Sequence, residues 1–117
     1  MATILVADDE ESILKLVSLV LTTGGHKVLT ASNGVEAVAL YRSYNKLIDM
    51  VLTDLNMPVL DGYQVVLLIR QTKPDVRVIC MTGNIAQPIP EGVRLLQKPF
   101  VPAKLTQLVE DVLAGGC

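Results

Sequence analysis

The stretch Thr3–Asp9 has the sequence TILVADD, in which a largely apolar run ends in two adjacent aspartates, Asp8 and Asp9. A second run, Met50–Thr53 (MVLT), is followed by Asp54 in the same way. Short apolar runs of this kind are typical of parallel strands that are buried on both faces. Since the carboxyl ends of parallel strands lie along one edge of a sheet, we expect the three carboxylates to lie close together there.

Such a group of carboxylates predicts a cation site. Three negative charges at one sheet edge repel each other strongly unless a cation lies among them, and carboxylate oxygens are ligands that Mg2+ prefers. Asp54 is followed by a loop and is therefore the carboxylate placed to act as a nucleophile. The sequence thus predicts a magnesium site that contains a reactive aspartate.

Strand and helix patterns alternate along the chain. Repeated strand–helix units with right-handed crossovers predict an α/β fold, a doubly wound parallel sheet with helices on both faces, and residues 1–117 form one domain. Asp9 or Ser12 is expected to cap the first helix, and Gly24-Gly25 to end it. The predicted strands are 3–7, 27–31, 49–53, 76–81 and 93–97, and the predicted helices are 11–23, 33–43, 61–73 and a last one from 102.

The segment 84–92 interrupts this alternation. It contains Pro88 and Pro90, and a proline inside a helix costs about 3 kcal/mol because it removes a donor and clashes with the preceding turn. We expect a loop or at most one turn there.

Composition and charge narrow the classes of function. The chain has a net charge of −2 and no cluster of Lys or Arg, so charge alone would not draw it to nucleic acid. Cys80 lies in an apolar run and is expected to be a packed thiol, whereas Cys117 is expected to be exposed at the terminus. There is no signal-peptide pattern and no apolar stretch of membrane-spanning length, so we expect a cytoplasmic protein that binds no membrane.

Polar motifs that follow the predicted strands resemble those of the receiver domain of two-component response regulators. The resemblance covers the whole chain and implies a flavodoxin-like sheet with the strand order 2-1-3-4-5. One motif alone is weak, but five in order at strand ends are specific. The motifs are Asp8-Asp9, Asp54 within LTDLNMP (residues 52–58), Asp61-Gly62, Met81-Thr82-Gly83 and Lys98-Pro99-Phe100.

The resemblance implies a phospho-accepting site. Asp54 would receive a phosphoryl group from a phosphohistidine of a sensor histidine kinase or a histidine phosphotransfer protein. Lys98 would pair with one phosphoryl oxygen, and the Thr82 hydroxyl would donate to another. Partners would then be the histidine donor and, downstream, an effector protein.

The resemblance also implies the magnesium ligands. Asp9 and Asp54 would bind Mg2+ through their side chains, Asp8 through a water molecule, and Asn56 through its backbone carbonyl. Asn56 and Asn84 stand at positions that tune hydrolysis of the acyl phosphate in such domains. The Lys98–Pro99 bond is expected to be cis, as is typical of the family.

The chain departs from the family pattern at two places. Leu95 stands where receivers usually have a tyrosine or phenylalanine that moves when the threonine engages the phosphoryl group. The segment with two prolines replaces the family's fourth helix, which is therefore expected to be shortened or absent. We infer from both departures that the output surface lies elsewhere or is absent, as in the receiver segments of hybrid histidine kinases.

Other functions compete with this interpretation. Asp8-Asp9 alone would be read as helix capping, and Lys98 alone as a surface lysine. A magnesium-dependent phosphatase of the haloacid-dehalogenase type needs an aspartate where Asn56 stands. A receiver-like docking module that acts without phosphorylation is the remaining alternative. We expect no enzymatic activity other than self-phosphorylation and slow self-dephosphorylation. The sequence is compatible both with a free-standing regulator and with a segment of a longer kinase.

Overall fold

The structure is a computed structural model that describes residues 1–115, and a five-stranded parallel sheet forms its centre. Its elements are, in chain order, β1 (Thr3–Ala7), α1 (Glu11–Thr23), β2 (Lys27–Ala31), α2 (Gly34–Tyr44), β3 (Met50–Asp54), α3 (Gly62–Thr72), β4 (Val78–Thr82), β5 (Arg94–Gln97) and α4 (Pro102–Leu113). The strand order β2-β1-β3-β4-β5 and the all-parallel pairing confirm the predicted fold class.

Strand boundaries differ from the predictions by one or two residues. β3 ends at Asp54, so the aspartate is the last residue of the strand rather than the first after it. β4 begins at Val78 and not at Val76, because the Val76 amide closes a turn by donating to the Lys73 carbonyl at 3.2 Å. At its other end, β4 extends to Thr82.

Side-chain caps are present at the starts of α2 and α3 but not at the start of α1. Asn33 caps α2, and Asp61 forms a capping box with Gln64 at the start of α3. The prediction that Asp9 or Ser12 caps α1 was wrong, since the N-cap is Glu10 and it has no side-chain cap. The chain turns into α1 differently: the Glu10 amide donates to Asp8 Oδ1 at 2.9 Å.

The β4–β5 connection (residues 83–93) contains turns and no helix, as the two prolines predicted. Four helices are present within residues 1–115, and the fourth in chain order is the C-terminal helix α4. Pro102 lies in its first turn, where a missing N–H group costs no helical hydrogen bond.

Alternate residues of each strand pack on opposite faces of the sheet. Leu5 and Val51 lie in a core with α2 and α3, and Ile4 and Leu52 lie in a core with α1 and α4. Cys80 is fully buried, and burial raises the pKa of its thiol to about 12, which agrees with the predicted packed thiol. Cys117 lies outside the described residues. Within residues 1–115, no helix is long and apolar enough to span a membrane.

Candidate functional site

Two buried carboxylates and one lysine meet at the carboxyl edge of the sheet. Asp8 follows β1 and is fully buried, and Asp54 ends β3 with 3% of its surface exposed. The Lys98 ammonium, which follows β5, lies 2.8 Å from Asp8 Oδ2 and 3.4 Å from Asp54 Oδ2. The structure therefore brings together residues that are far apart in the sequence, as the positions of the strand ends predicted.

Burial and charge set the protonation of this group. Burial, followed by the negative charge of Asp8, raises the pKa of Asp54 from 3.8 to about 6. The hydrogen bond from the Asn56 backbone amide and the charge of the Lys98 ammonium lower this pKa, but they do not cancel the increase. Burial would lower the pKa of Lys98, yet its hydrogen bond to Asp8 and the charges of Asp54 and Asp8 outweigh burial and raise it. Lys98 is therefore a firmly charged partner for an anion.

A third carboxylate joins the two buried ones. Asp8, Glu10 and Asp54 each place an oxygen within 4.8 Å of the others, an arrangement that could hold a metal ion. Glu10 Oε1 also lies 3.5 Å from the Lys98 ammonium. Hard oxygen donors in this number suit Mg2+, which keeps several of its waters and needs few protein ligands. The donor set therefore fits the predicted ion.

Glu10 is a residue that sequence reasoning missed. The sequence signal was its place directly after Asp8-Asp9, in the same loop. Asp9 is exposed, and in the structure it lines a groove with Lys15 of α1 and Thr30 of β2. The assignments of Asp9 and of the Asn56 backbone carbonyl to the metal stay predictions.

The β3–α3 connection (residues 55–61) is held against the site by backbone contacts. The Leu55 amide donates to the Met81 carbonyl at 2.9 Å, and the Gly62 amide donates to the Leu55 carbonyl at 3.1 Å. A Cβ atom on Gly62 would overlap the Asp54 carbonyl, so only glycine fits there. This close approach gives a physical reason for the Asp61-Gly62 motif.

The site is bounded on the other side by hydrogen bonds that converge on Thr82. The buried Thr82 hydroxyl lies 2.6 Å from Gln87 Oε1, to which it donates. Asn56 Nδ2 donates to the same Gln87 oxygen at 3.0 Å and lies 3.3 Å from the hydroxyl. The Asn84 backbone amide donates to the Thr82 hydroxyl at 3.0 Å. Gln87 was not anticipated, because its contact depends on the path of an irregular loop that no sequence periodicity encodes.

Two further expectations concern the surroundings of Lys98. The Lys98–Pro99 peptide bond is cis, as expected. Leu95, the residue in place of the usual aromatic ring, is half-buried and packs against the core on the α2–α3 side.

Comparison with known proteins shows the family. Residues 4–110 match the response regulator receiver domain. The chain is 34% identical to the chemotaxis protein CheY homolog of Campylobacter jejuni subsp. jejuni serotype O:23/36 (strain 81-176), with 97% of this chain and 93% of that protein covered. The chain therefore belongs to the receiver domains of two-component signalling, a family whose members bind Mg2+ at an acidic pocket and interact with histidine kinases and other partners.

Solved structures agree with this assignment. A receiver domain from Clostridium thermocellum superimposes with a TM-score of 0.88 at 30% identity, covering 98% of this chain and 96% of that one. A chain of the CheX–CheY–BeF3–Mg2+ complex from Borrelia burgdorferi superimposes with a TM-score of 0.86 at 28% identity, covering 95% of this chain and 88% of that one. Several curated relatives are longer proteins, and the chain spans less than half their length.

Proposed function

We propose that this receiver domain accepts a phosphoryl group on Asp54 from a phosphohistidine of a sensor histidine kinase or a histidine phosphotransfer protein. The observation that carries the proposal is the buried Asp54 carboxylate, 3.4 Å from the Lys98 ammonium and within the three-carboxylate group. A carboxylate buried among other carboxylates is costly for folding, and the cost is understandable if the group reacts.

The chain supplies the nucleophile and the partners of the phosphoryl oxygens. An Asp54 oxygen forms the new bond to phosphorus while the bond between phosphorus and the donor imidazole nitrogen breaks. That nitrogen keeps the electron pair and takes up a proton from solvent. Lys98 pairs with one phosphoryl oxygen and the Thr82 hydroxyl donates to another, which places charge and a donor where the loose transition state needs them.

The three carboxylates are proposed to form the Mg2+ site. Asp8, Glu10 and Asp54 would hold the ion, because their oxygens lie within 4.8 Å of one another. Ligation by Asp9 and by the Asn56 backbone carbonyl is implied only by the family resemblance. When bound, Mg2+ offsets the negative charge of the transferring group. The similar CheX–CheY–BeF3–Mg2+ complex from Borrelia burgdorferi supports both the ion and the phosphoryl site.

A groove beside Lys98 offers room for a protein donor. It is lined mostly by apolar side chains, so a partner protein could bury surface there while its histidine reaches Asp54. The lining residues are Glu10, Ile13, Leu16, Lys98, Pro99 and Phe100. The donor and a downstream effector are proposed as the partners, and self-phosphorylation and slow self-dephosphorylation as the only activities of the isolated domain.

Intact-mass measurement after incubation with Mg2+ and acetyl phosphate tests the proposal. Wild type is expected to gain one phosphoryl group, and Asp54→Asn is expected to gain none. Asp49→Asn is a matched control, because Asp49 precedes the other end of the same strand, and it should be phosphorylated like wild type.

Two results would contradict the proposal. An adduct that persists in Asp54→Asn would place the reaction on another residue. No adduct in folded wild type, either with acetyl phosphate or with a phosphorylated histidine kinase, would favour the docking module that acts without phosphorylation.

A further inference from the structure

The Gln87 side chain accepts the only hydrogen bond that the Thr82 hydroxyl can donate. A threonine hydroxyl carries a single hydrogen, and here the short contact of 2.6 Å directs it to Gln87 Oε1. The other acceptor in reach, the Asn84 carbonyl, is more distant at 3.3 Å. The proposed phosphoryl contact needs the same hydrogen. Gln87 and a phosphoryl oxygen therefore compete for one donor.

Gln87 also connects this donor to an irregular segment. It is half-buried, whereas the residues from Gly83 to Ala86 and Pro88 are exposed. Its backbone amide closes the turn by donating to the Asn84 carbonyl at 3.3 Å. On the far side the segment is held by the core, where Ile89 packs and Pro90 is buried. The position of residues 84–87, the part of the segment next to the site, therefore depends on hydrogen bonds to the Thr82 side chain.

We propose that Gln87 is a positioning residue that holds Thr82 in the unphosphorylated domain and releases it on phosphorylation, so that the β4–β5 connection reports the state of Asp54. This inference rests on the proposed function. When the Thr82 hydroxyl turns to the phosphoryl group, Gln87 loses its shortest hydrogen bond, and residues 84–87 open. The β4–β5 connection would then be the surface that changes on phosphorylation, although Leu95 stands in place of the aromatic residue that usually moves.

The inference reverses one expectation from the sequence. Leu95 and the two prolines indicated an output surface elsewhere or none. The Thr82–Gln87 contact instead gives this segment a direct link to the phosphoryl site, and it needs no aromatic side chain in β5.

Gln87→Met tests the inference, because methionine keeps the length of the side chain and lacks the amide oxygen. Gln71→Met, at an exposed position of α3, is the matched control. Without ligand, the amides of residues 84–87 in Gln87→Met are expected to exchange with solvent about three- to tenfold faster than in wild type, which corresponds to the loss of one hydrogen bond of ordinary net strength. Gln71→Met should exchange like wild type.

The affinity for beryllofluoride with Mg2+ provides a readout that a structural defect would not produce. Removing the competitor for the Thr82 hydroxyl should tighten binding about three- to tenfold in Gln87→Met, whereas damage to the site would weaken it. Gln87→Glu restores an acceptor, and its charge makes it a stronger one, so binding should be weaker than in wild type.

The outcomes separate the inference from the proposed function. Failure of wild type to bind beryllofluoride, seen as no bound fluorine signal by NMR, would overturn the proposed function and the inference with it. Bound beryllofluoride with equal affinity in Gln87→Met and wild type, or with unchanged exchange of residues 84–87, would overturn the inference alone.

Discussion

The two connections that flank Asp54 are built in different ways. The β3–α3 connection is fixed by backbone hydrogen bonds, by a capping box and by a glycine against the Asp54 carbonyl. The β4–β5 connection is held at the site by the Thr82 side chain, whose hydroxyl contacts the Gln87 side chain and the backbone of Asn84. Backbone contacts do not compete with a phosphoryl group, whereas a hydroxyl hydrogen does. One connection is therefore suited to hold the acceptor still, and the other to respond.

Adding a methyl group at Gly62 should have the largest effect on this arrangement. The new Cβ would overlap the Asp54 carbonyl, so Gly62→Ala should lower the free energy of unfolding by about 3 kcal/mol, at the upper end for overpacking. In Gly83→Ala the Cβ meets no atom within 4 Å, and the change should stay within about 0.5 kcal/mol. Urea unfolding of both variants measures the difference. Equal stabilities would show that close packing does not fix the β3–α3 connection.

Removing the charge of Asp54 should give a pH-dependent gain in stability. Asp54 loses its proton near 3.8 in the unfolded chain and near a pKa of about 6 in the folded domain. Between these values the folded form binds more protons, so the free energy of unfolding falls as the pH rises, and above about 6 the loss is complete. Asp54→Asn avoids this loss, and at about pH 8 it should be more stable than wild type by roughly 1–3 kcal/mol.

Urea unfolding in the presence of a chelator, at several pH values, measures this gain. The difference between Asp54→Asn and wild type should shrink as the pH falls from about 6 and disappear well below the unfolded pKa of 3.8, where Asp54 is protonated in both states. A difference that does not change with pH would mean that charge is not its cause.

Truncating one residue in each connection should lower the free energy of unfolding more in the β3–α3 connection than in the β4–β5 connection. Asp61→Ala removes the capping box of α3 and should lower the free energy of unfolding by about 1 kcal/mol. Asn84→Ala removes an acceptor for the Ala86 amide in an exposed turn and should cost less than about 0.5 kcal/mol. Chemical denaturation gives both values. A larger loss in Asn84→Ala would contradict the view that the β4–β5 connection opens locally.

A small gain in stability is expected from relieving backbone strain in the β3–α3 connection. Val59 has a φ of 69° and is 93% exposed, a conformation that a β-branched residue rarely adopts. Val59→Gly should raise the free energy of unfolding by roughly 0.5–1 kcal/mol, with Val59→Ala in between. Thermal unfolding orders the three proteins. If Val59→Gly were the least stable of the three proteins, the positive φ of Val59 would not be a source of strain.

Sequence patterns predicted the parts of the site that depend on strand ends. Asp8, Asp54 and Lys98 follow from apolar runs that stop at polar residues, since parallel strands bring their carboxyl ends to one edge. Glu10 and Gln87 were missed for a physical reason. Both lie in irregular segments, where the backbone path decides which side chains meet and no periodicity encodes it.

Local errors have similar causes. Val76 fits an apolar strand pattern, but its amide is used in the turn after α3, so β4 starts later. Asp9 and Ser12 have side chains suited to capping, but the loop places Glu10 at the N-cap of α1. Propensity gave the correct element in both cases, and competition for backbone hydrogen bonds decided its boundary.

Hydrogen exchange of wild type before and after phosphorylation of Asp54 tests most directly whether the two connections differ in this way. The account predicts faster exchange in residues 84–87 and no faster exchange in residues 55–61. Faster exchange in residues 55–61, or no change in residues 84–87 of the phosphorylated domain, would contradict it.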